Sequence, residues 1–129
     1  ECNVYADEFM IEQVFINYFT NALHYCNDGG KVKIWTAQTD YDAPRKVDDG
    51  EITGNLRVFV YDEGPNIPTD ELDKVFIKFY KVDKARTREY GGSGVGLSIV
   101  KAIMESMNQQ FGVNNYNNGV EFWFELETK

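Results

Sequence analysis

The sequence holds one histidine, His24, and two cysteines, Cys2 and Cys26. That scarcity excludes a Cys/His metal cluster, and two cysteines are too few for a disulfide scaffold. Both cysteines read as reduced thiols of a cytosolic domain. No apolar run approaches the ~18 residues that a membrane-spanning helix needs, and no signal peptide is visible. Positive charge is also short: 13 Lys and Arg against 21 Asp and Glu leave a formal net charge of -8. A surface that neutralises nucleic-acid phosphates is basic, so nucleic acid is not an expected partner. Phosphates on a small ligand remain possible, because backbone N–H groups and a metal ion can hold them.

What is present suits one folded domain over residues 1–129. The hydrophobic fraction is 43% and the charged fraction 26%, which is ordinary for a globular protein. The chain begins Glu1-Cys2-Asn3 without an initiator Met, and the expectation is a domain taken from a longer protein.

Apolar spacing orders the elements. Val14, Phe15, Tyr18, Phe19, Ala22 and Leu23 recur with helical period, predicting a helix over 7–26 with Asp7 as its N-cap. Asp28-Gly29-Gly30 ends it. Alternation predicts strands over 31–37 and 56–61, joined by an exposed polar hairpin or loop over 38–55. A turn-rich segment, Asp62 to Pro68, leads to a short helix from Thr69, with Val75, Phe76 and Phe79 as apolar anchors. Residues 80–93 are polar and basic and read as a mobile loop. A helix over 94–107 buries Leu97, Val100, Ile103, Met104 and Met107. A short strand over 111–113 and a long one over 119–127 follow. The sum is an α/β (α+β) two-layer sandwich: a mixed sheet with helices on one face and the other face partly wet.

Three segments point to chemistry. Gln13, Asn17 and Asn21 stand at i, i+4 and i+8, so their amides share one helix edge, which His24 and Tyr25 continue. Asn is a poor mid-helix residue because its side chain competes for backbone hydrogen bonds. The stripe is either a solvated edge whose amides satisfy nearby backbone, or an oxygen source for Mg²⁺, a hard cation that shares its shell with substrate phosphates. Asp62 ends a strand ahead of Gly64. It either marks a chain reversal or offers a carboxylate to an exocyclic amine such as that of adenine, with Gly64 letting the ring approach. Gly92, Gly94 and Gly96 alternate directly before a helix, where bare N–H groups form a phosphate cradle. No Gly-Lys-Ser/Thr follows, so this is not a Walker loop. Lys81, Lys84, Arg86 and Arg88 precede the glycines as a solvated basic loop or a source of a γ-phosphate contact.

In this order the segments resemble the superfamily named for gyrase, heat-shock chaperone, histidine kinase and mismatch-repair proteins (GHKL), and within it the histidine kinase catalytic domain. Glu12 to Tyr25 resembles the N box, Asp62 to Pro68 the first glycine box, Phe76 to Tyr80 the F box, and Gly92 to Leu97 the second glycine box. The resemblance covers nearly the whole chain. It implies a Bergerat-type nucleotide fold with an ATP lid over about 80–93. By the same resemblance Asn21 holds Mg²⁺ and Asn17 supports the metal and phosphates, the two forming the catalytic pair. His24 contacts phosphate, Tyr25 packs near the adenine and Asp62 bonds its amine. Gly64, Ile67, Phe79, Arg88, Gly92, Ser93, Gly94, Val95, Gly96 and Leu97 complete the ATP site. Asn66 departs from the family by replacing the second Gly of the first glycine box. Asn tolerates positive φ better than most residues, so the turn is expected to survive. Gln13 stands where ATP-hydrolysing relatives place a catalytic Glu, which favours a kinase over an ATPase.

The implied reaction is transfer of the γ-phosphoryl group of Mg-ATP to a histidine on a helical dimerisation domain upstream of Glu1. The implied partners are that domain, a second copy of the parent in a homodimer, and a response regulator. The implied setting is the cytoplasmic part of a membrane sensor. Alternatives are a gyrase- or chaperone-type ATPase, an anti-sigma serine kinase, and a degenerate domain that only binds protein.

Overall fold

Asp7 opens the first helix, α1 (Glu8–Tyr25): its carboxylate accepts the Met10 N–H at 3.1 Å, satisfying one of the amides that a helix start leaves bare. The computed structural model describes residues 4–47, 50–77 and 96–128. Val4–Tyr5 forms β1, Val32–Val47 β2 and Gly50–Asp62 β3. A 3₁₀ turn covers Thr69–Glu71, followed by α2 (Gly96–Ser106), β4 (Phe111–Tyr116) and β5 (Gly119–Thr128).

Helix α2 ends where the sequence supplies an Asn that can enter the left-handed region. Asn108 has φ 56°, its N–H reaches Glu105 O, and the Gln109 N–H reaches Met104 O, both at 3.0 Å. That pair of bonds is a Schellman closure.

The sheet runs β1-β5-β3-β2, with β4 beside β1 on the outer flank of β5. The two-layer α+β architecture is as expected, but the sheet is not mixed: all four strand pairings among the described residues are antiparallel. The reason is topological. β3 and β4 run the same way, but β5 lies between them, antiparallel to both, so no parallel ladder forms.

Of the two readings for 38–55, a hairpin or a loop, the structure has the hairpin, with strands longer than expected. β2 and β3 continue through it, pairing Gln38 with Leu56 and Thr39 with Asn55, with one irregularity between Asp40 and Arg45. Backbone pairing needs no apolar side chains, which is why polarity misplaced the strand ends.

Even-numbered residues of β3 and β5 face the helices. Val60, Phe122, Phe124 and Leu126 are buried there with Val14, Tyr18 and Ala22 of α1 and Val100 and Met104 of α2. The Tyr18 ring lies 5.2 Å from Phe122 and 6.0 Å from Phe124, and its hydroxyl donates to Trp123 O at 3.1 Å. Phe76 closes this core edge-on against Phe111, at 5.0 Å. Each such side chain contributes about 1.5–3 kcal/mol by leaving water. Phe124→Ala would cost about 3–5 kcal/mol.

The opposite face is drier than alternation implied. Glu121 and Glu125 are buried. Glu125 accepts from Asn55 Nδ2 at 2.6 Å and from Arg57 Nε at 2.8 Å. The Arg57 guanidinium stacks 3.8 Å above the Trp123 ring, and Trp35 stacks on Phe59 at 5.0 Å. Charge is retained on this face because it is paired and roofed by rings.

Candidate functional site

Helix α1 is the spine of the site. Gln13, Asn17 and Asn21 are half-buried, between the buried column Val14, Tyr18, Ala22 and the exposed Thr20. Asn17 Nδ2 donates to Gln13 O at 2.7 Å. The amide nitrogen thus satisfies nearby backbone, as one of the two sequence readings held. Its oxygen does something else. A Cβ on Gly96, the first residue of α2, would sit 2.9 Å from Asn17 Oδ1, its nearest neighbour among the described residues. Only a residue without a side chain lets that amide oxygen reach the N-terminal end of α2 unshifted, where helix N–H groups collect partial positive charge.

A second close approach lies two turns further along α1. A Cβ on Gly64 would stand 2.2 Å from Tyr25 O and 2.6 Å from Asp62 Oδ1. Here the obstacle is backbone, so the glycine is obligatory. The eight residues from Asn17 to Tyr25 span roughly 12 Å at the helical rise. One helix edge therefore carries a glycine contact at each end, with Asn21 and His24 between them. Tyr25, like His24, is half-buried.

The Asp62–Pro68 turn is pinned from both sides. Toward α1, Asn27 N–H donates to Glu63 O at 2.7 Å, Glu63 N–H to Lys31 O at 3.0 Å, and Lys31 N–H to Glu63 Oε1 at 2.8 Å. Toward the β4–β5 hairpin, Asn66 Nδ2 donates to Tyr116 O at 2.8 Å and Gly119 O at 3.0 Å. Asn115 brackets Ile67, accepting its N–H at 3.0 Å and donating to its carbonyl at 2.7 Å. Asp62 itself is 1% exposed at the end of β3. Burial, with the Glu63 and Asp62 carboxylates adding to it, raises the Tyr61 hydroxyl above its usual range.

The expected role of Asn66 is corrected here. Among the described residues Asn108 is the one non-glycine at positive φ, so Asn66 does not stand in for a left-handed glycine. It keeps the turn by hydrogen bonding. Asn115 was not flagged by the sequence at all: it sits in a strand, in a run of asparagines without periodicity. An open polar cleft of about 560 Å³ lies outside this turn, lined by Asp28, Gly30, Glu63, Asn66 and Asn118 among others.

Ile67 and Leu97 pack against the core cluster. Phe79, Arg88, Gly92, Ser93, Gly94 and Val95, and with them the lid expected over 80–93, lie outside the described residues. No cluster of three or more His, Cys, Asp or Glu among the described residues is placed to hold a metal. No described helix is long and apolar enough to cross a membrane.

The two glycine contacts on one amide-bearing helix are the layout of a nucleotide-binding domain of the GHKL class. Residues 6–129 match the family model described as histidine kinase-, DNA gyrase B- and HSP90-like ATPase, and the chain belongs to that family. It is 40% identical over 103 residues to the sensor histidine kinase WalK of Bacillus subtilis, covering 80% of this chain and 15% of WalK. The catalytic domain of the histidine kinase ThkA superposes with a TM-score of 0.71 at 32% identity, covering 96% of this chain and 70% of that one. ThkA in complex with the response regulator TrrA gives 0.69 at 31%, covering 98% and 30%. Full-length ShkA in complex with AMPPNP gives 0.68 at 27%, covering 98% and 23%. The chain spans about a quarter or less of the length of the curated relatives it matches.

Proposed function

We propose that this chain is the catalytic domain of a sensor histidine kinase: it binds Mg-ATP and presents the γ-phosphoryl group to a histidine on a separate dimerisation domain. One observation carries the proposal. The amide edge of α1 meets the glycine start of α2, with Asn17 Oδ1 2.9 Å from where a Gly96 Cβ would stand. Amide oxygens for a cation and bare N–H groups for phosphate are thereby brought to one place.

The residues fit the group. Asn21, one turn further along the same edge, offers an amide oxygen to Mg²⁺, and Asn17 supports it. Gly92, Gly94 and Gly96 frame the phosphates, with Ser93, Val95 and Leu97 carrying the intervening backbone. His24 contacts phosphate from the last turn of α1. At the other end Asp62 accepts the adenine amine, Gly64 and Ile67 let the ring approach, and Tyr25 and Phe79 pack against it. Arg88 supplies a cation from the lid. When bound, Mg²⁺ neutralises phosphate charge. The chain's own share is positioning and charge complementarity, which is most of what phosphoryl transfer asks of a protein.

His24, the single histidine, is part of this site and is no phosphoacceptor. The acceptor histidine, a second copy of the parent and a response regulator are therefore partners, the last in line with the ThkA–TrrA complex. A membrane-anchored parent with this domain on the cytoplasmic side fits the same reading. Calorimetry with ATP and Mg²⁺ tests it. The chain should bind ATP in a Mg²⁺-dependent manner and transfer almost no label to itself. Failure to bind, or strong self-labelling, would overturn it.

A further inference from the structure

We propose that Asn66 and Asn115 are positioning residues for base recognition: through them the β4–β5 hairpin, a part of the fold remote from the phosphates, fixes the turn that presents Asp62 to the nucleotide base. The inference rests on the adenine reading of Asp62.

A glycine-containing turn has many accessible conformations, and a carboxylate that must meet one exocyclic amine needs its backbone held to within about 0.5 Å. In this chain β3 ends at Asp62, paired with Val32 and Val120, and Glu63, Gly64 and Pro65 separate it from Asn66, where the side-chain amides begin to hold the turn. The grip is fourfold. Asn66 donates twice, to Tyr116 O and Gly119 O, and Asn115 closes a two-bond ring with the Ile67 backbone. The acceptors of Asn66 flank the hairpin's own Tyr116–Gly119 pair, so the turn is registered to that hairpin end.

Gly119 completes the fit. A Cβ there would stand 2.1 Å from Asp62 O and 2.7 Å from the Tyr61 ring. The hairpin thus touches the backbone of Asp62 through Gly119, while its Tyr116 and Gly119 carbonyls accept from Asn66 and its Asn115 holds Ile67. Asn66 is exposed and Asn115 half-buried, so neither is a core residue whose loss would unfold the chain. Losing hydrogen bonds of this kind is enough to change which turn conformer dominates.

The test compares ATP with inosine triphosphate, which carries a carbonyl in place of the exocyclic amine, on wild type, Asn115→Ala and Asn66→Gly. Wild type should bind ATP more tightly than the inosine nucleotide. In both variants ATP affinity should fall about fivefold to tenfold while inosine triphosphate binding stays nearly constant, so that the ratio collapses. The melting temperature without nucleotide should move little. Equal losses for both nucleotides, or an unchanged ratio, would overturn the positioning role. Absence of ATP binding by the wild type would instead overturn the nucleotide reading, and equal wild-type affinity for both nucleotides would overturn the Asp62 assignment on which the inference stands.

Discussion

Helix α1 makes two glycine contacts that differ in what lies opposite. At its C-terminal end Gly64 faces a backbone carbonyl, Tyr25 O, inside a turn held by seven hydrogen bonds from Asn27 and Lys31 of the α1–β2 connection and from the β4–β5 hairpin. Two turns earlier Gly96 faces, among the described residues, the end of an Asn17 side chain. The first contact is built into the fold, and nothing there can move aside. The second depends on one amide that can rotate. On the proposed reading this division is useful: a fixed contact suits base recognition, and an adjustable one suits phosphates and a metal that must be gripped and released.

Substitutions separate the two ends. Gly64→Ala is expected to be the most damaging: its Cβ would overlap Tyr25 O, destabilising the chain by about 3 kcal/mol and lowering the melting temperature by several degrees in a thermal scan. Asn21→Ala should leave melting nearly unchanged and weaken Mg-ATP by about 2 kcal/mol, or about thirtyfold in Kd by calorimetry; unchanged affinity in excess Mg²⁺ would remove the metal assignment.

Tyr18, between the two contacts, bolts α1 to the sheet through Trp123 O. Tyr18→Phe should cost about 1 kcal/mol in urea unfolding at neutral pH. Burial also holds the Tyr18 hydroxyl well above its usual range. Below about pH 10 it is neutral folded and unfolded alike, and its contribution is complete. Above that the unfolded chain releases this proton while the folded one keeps it, so stability falls as pH rises. Tyr18→Phe should flatten that alkaline decline, and an identical slope in wild type and variant would contradict the burial account. Gly96→Ala is expected to have the smallest effect on stability, within about 0.5 kcal/mol, because Asn17 can shift. Its effect should appear as a loss of nucleotide affinity of a few fold. A stability loss as large as that of Gly64→Ala would erase the distinction between the two ends.

Periodicity made α1, β5 and the helix-facing core legible, because Val14, Tyr18 and Ala22 or Phe122 and Phe124 repeat at intervals that admit one reading. It failed where backbone pairing outruns side-chain pattern, as in β2 beyond Ala37. It also gave no sign that Glu125 on the second sheet face is buried through Asn55 and Arg57, partners distant in sequence. The motifs marked α1, Gly64 and Gly96 as candidates, and the structure sets both of these glycines against α1. Asn66 was noticed for the wrong reason, since its side chain and not its φ holds the turn. Asn115 was invisible because its function exists only across a contact of 48 residues' separation.

Nitrogen-resolved NMR during a titration with Mg²⁺ and a non-hydrolysable ATP analogue tests the convergence of α1 and α2 most directly. The side-chain amides of Asn17 and Asn21 and the backbone amide of Gly96 should shift together along one saturation curve, and omission of Mg²⁺ should diminish all three. Shifts at one helix alone, or two curves with different midpoints, would show that the amide edge and the glycine start do not serve a common ligand.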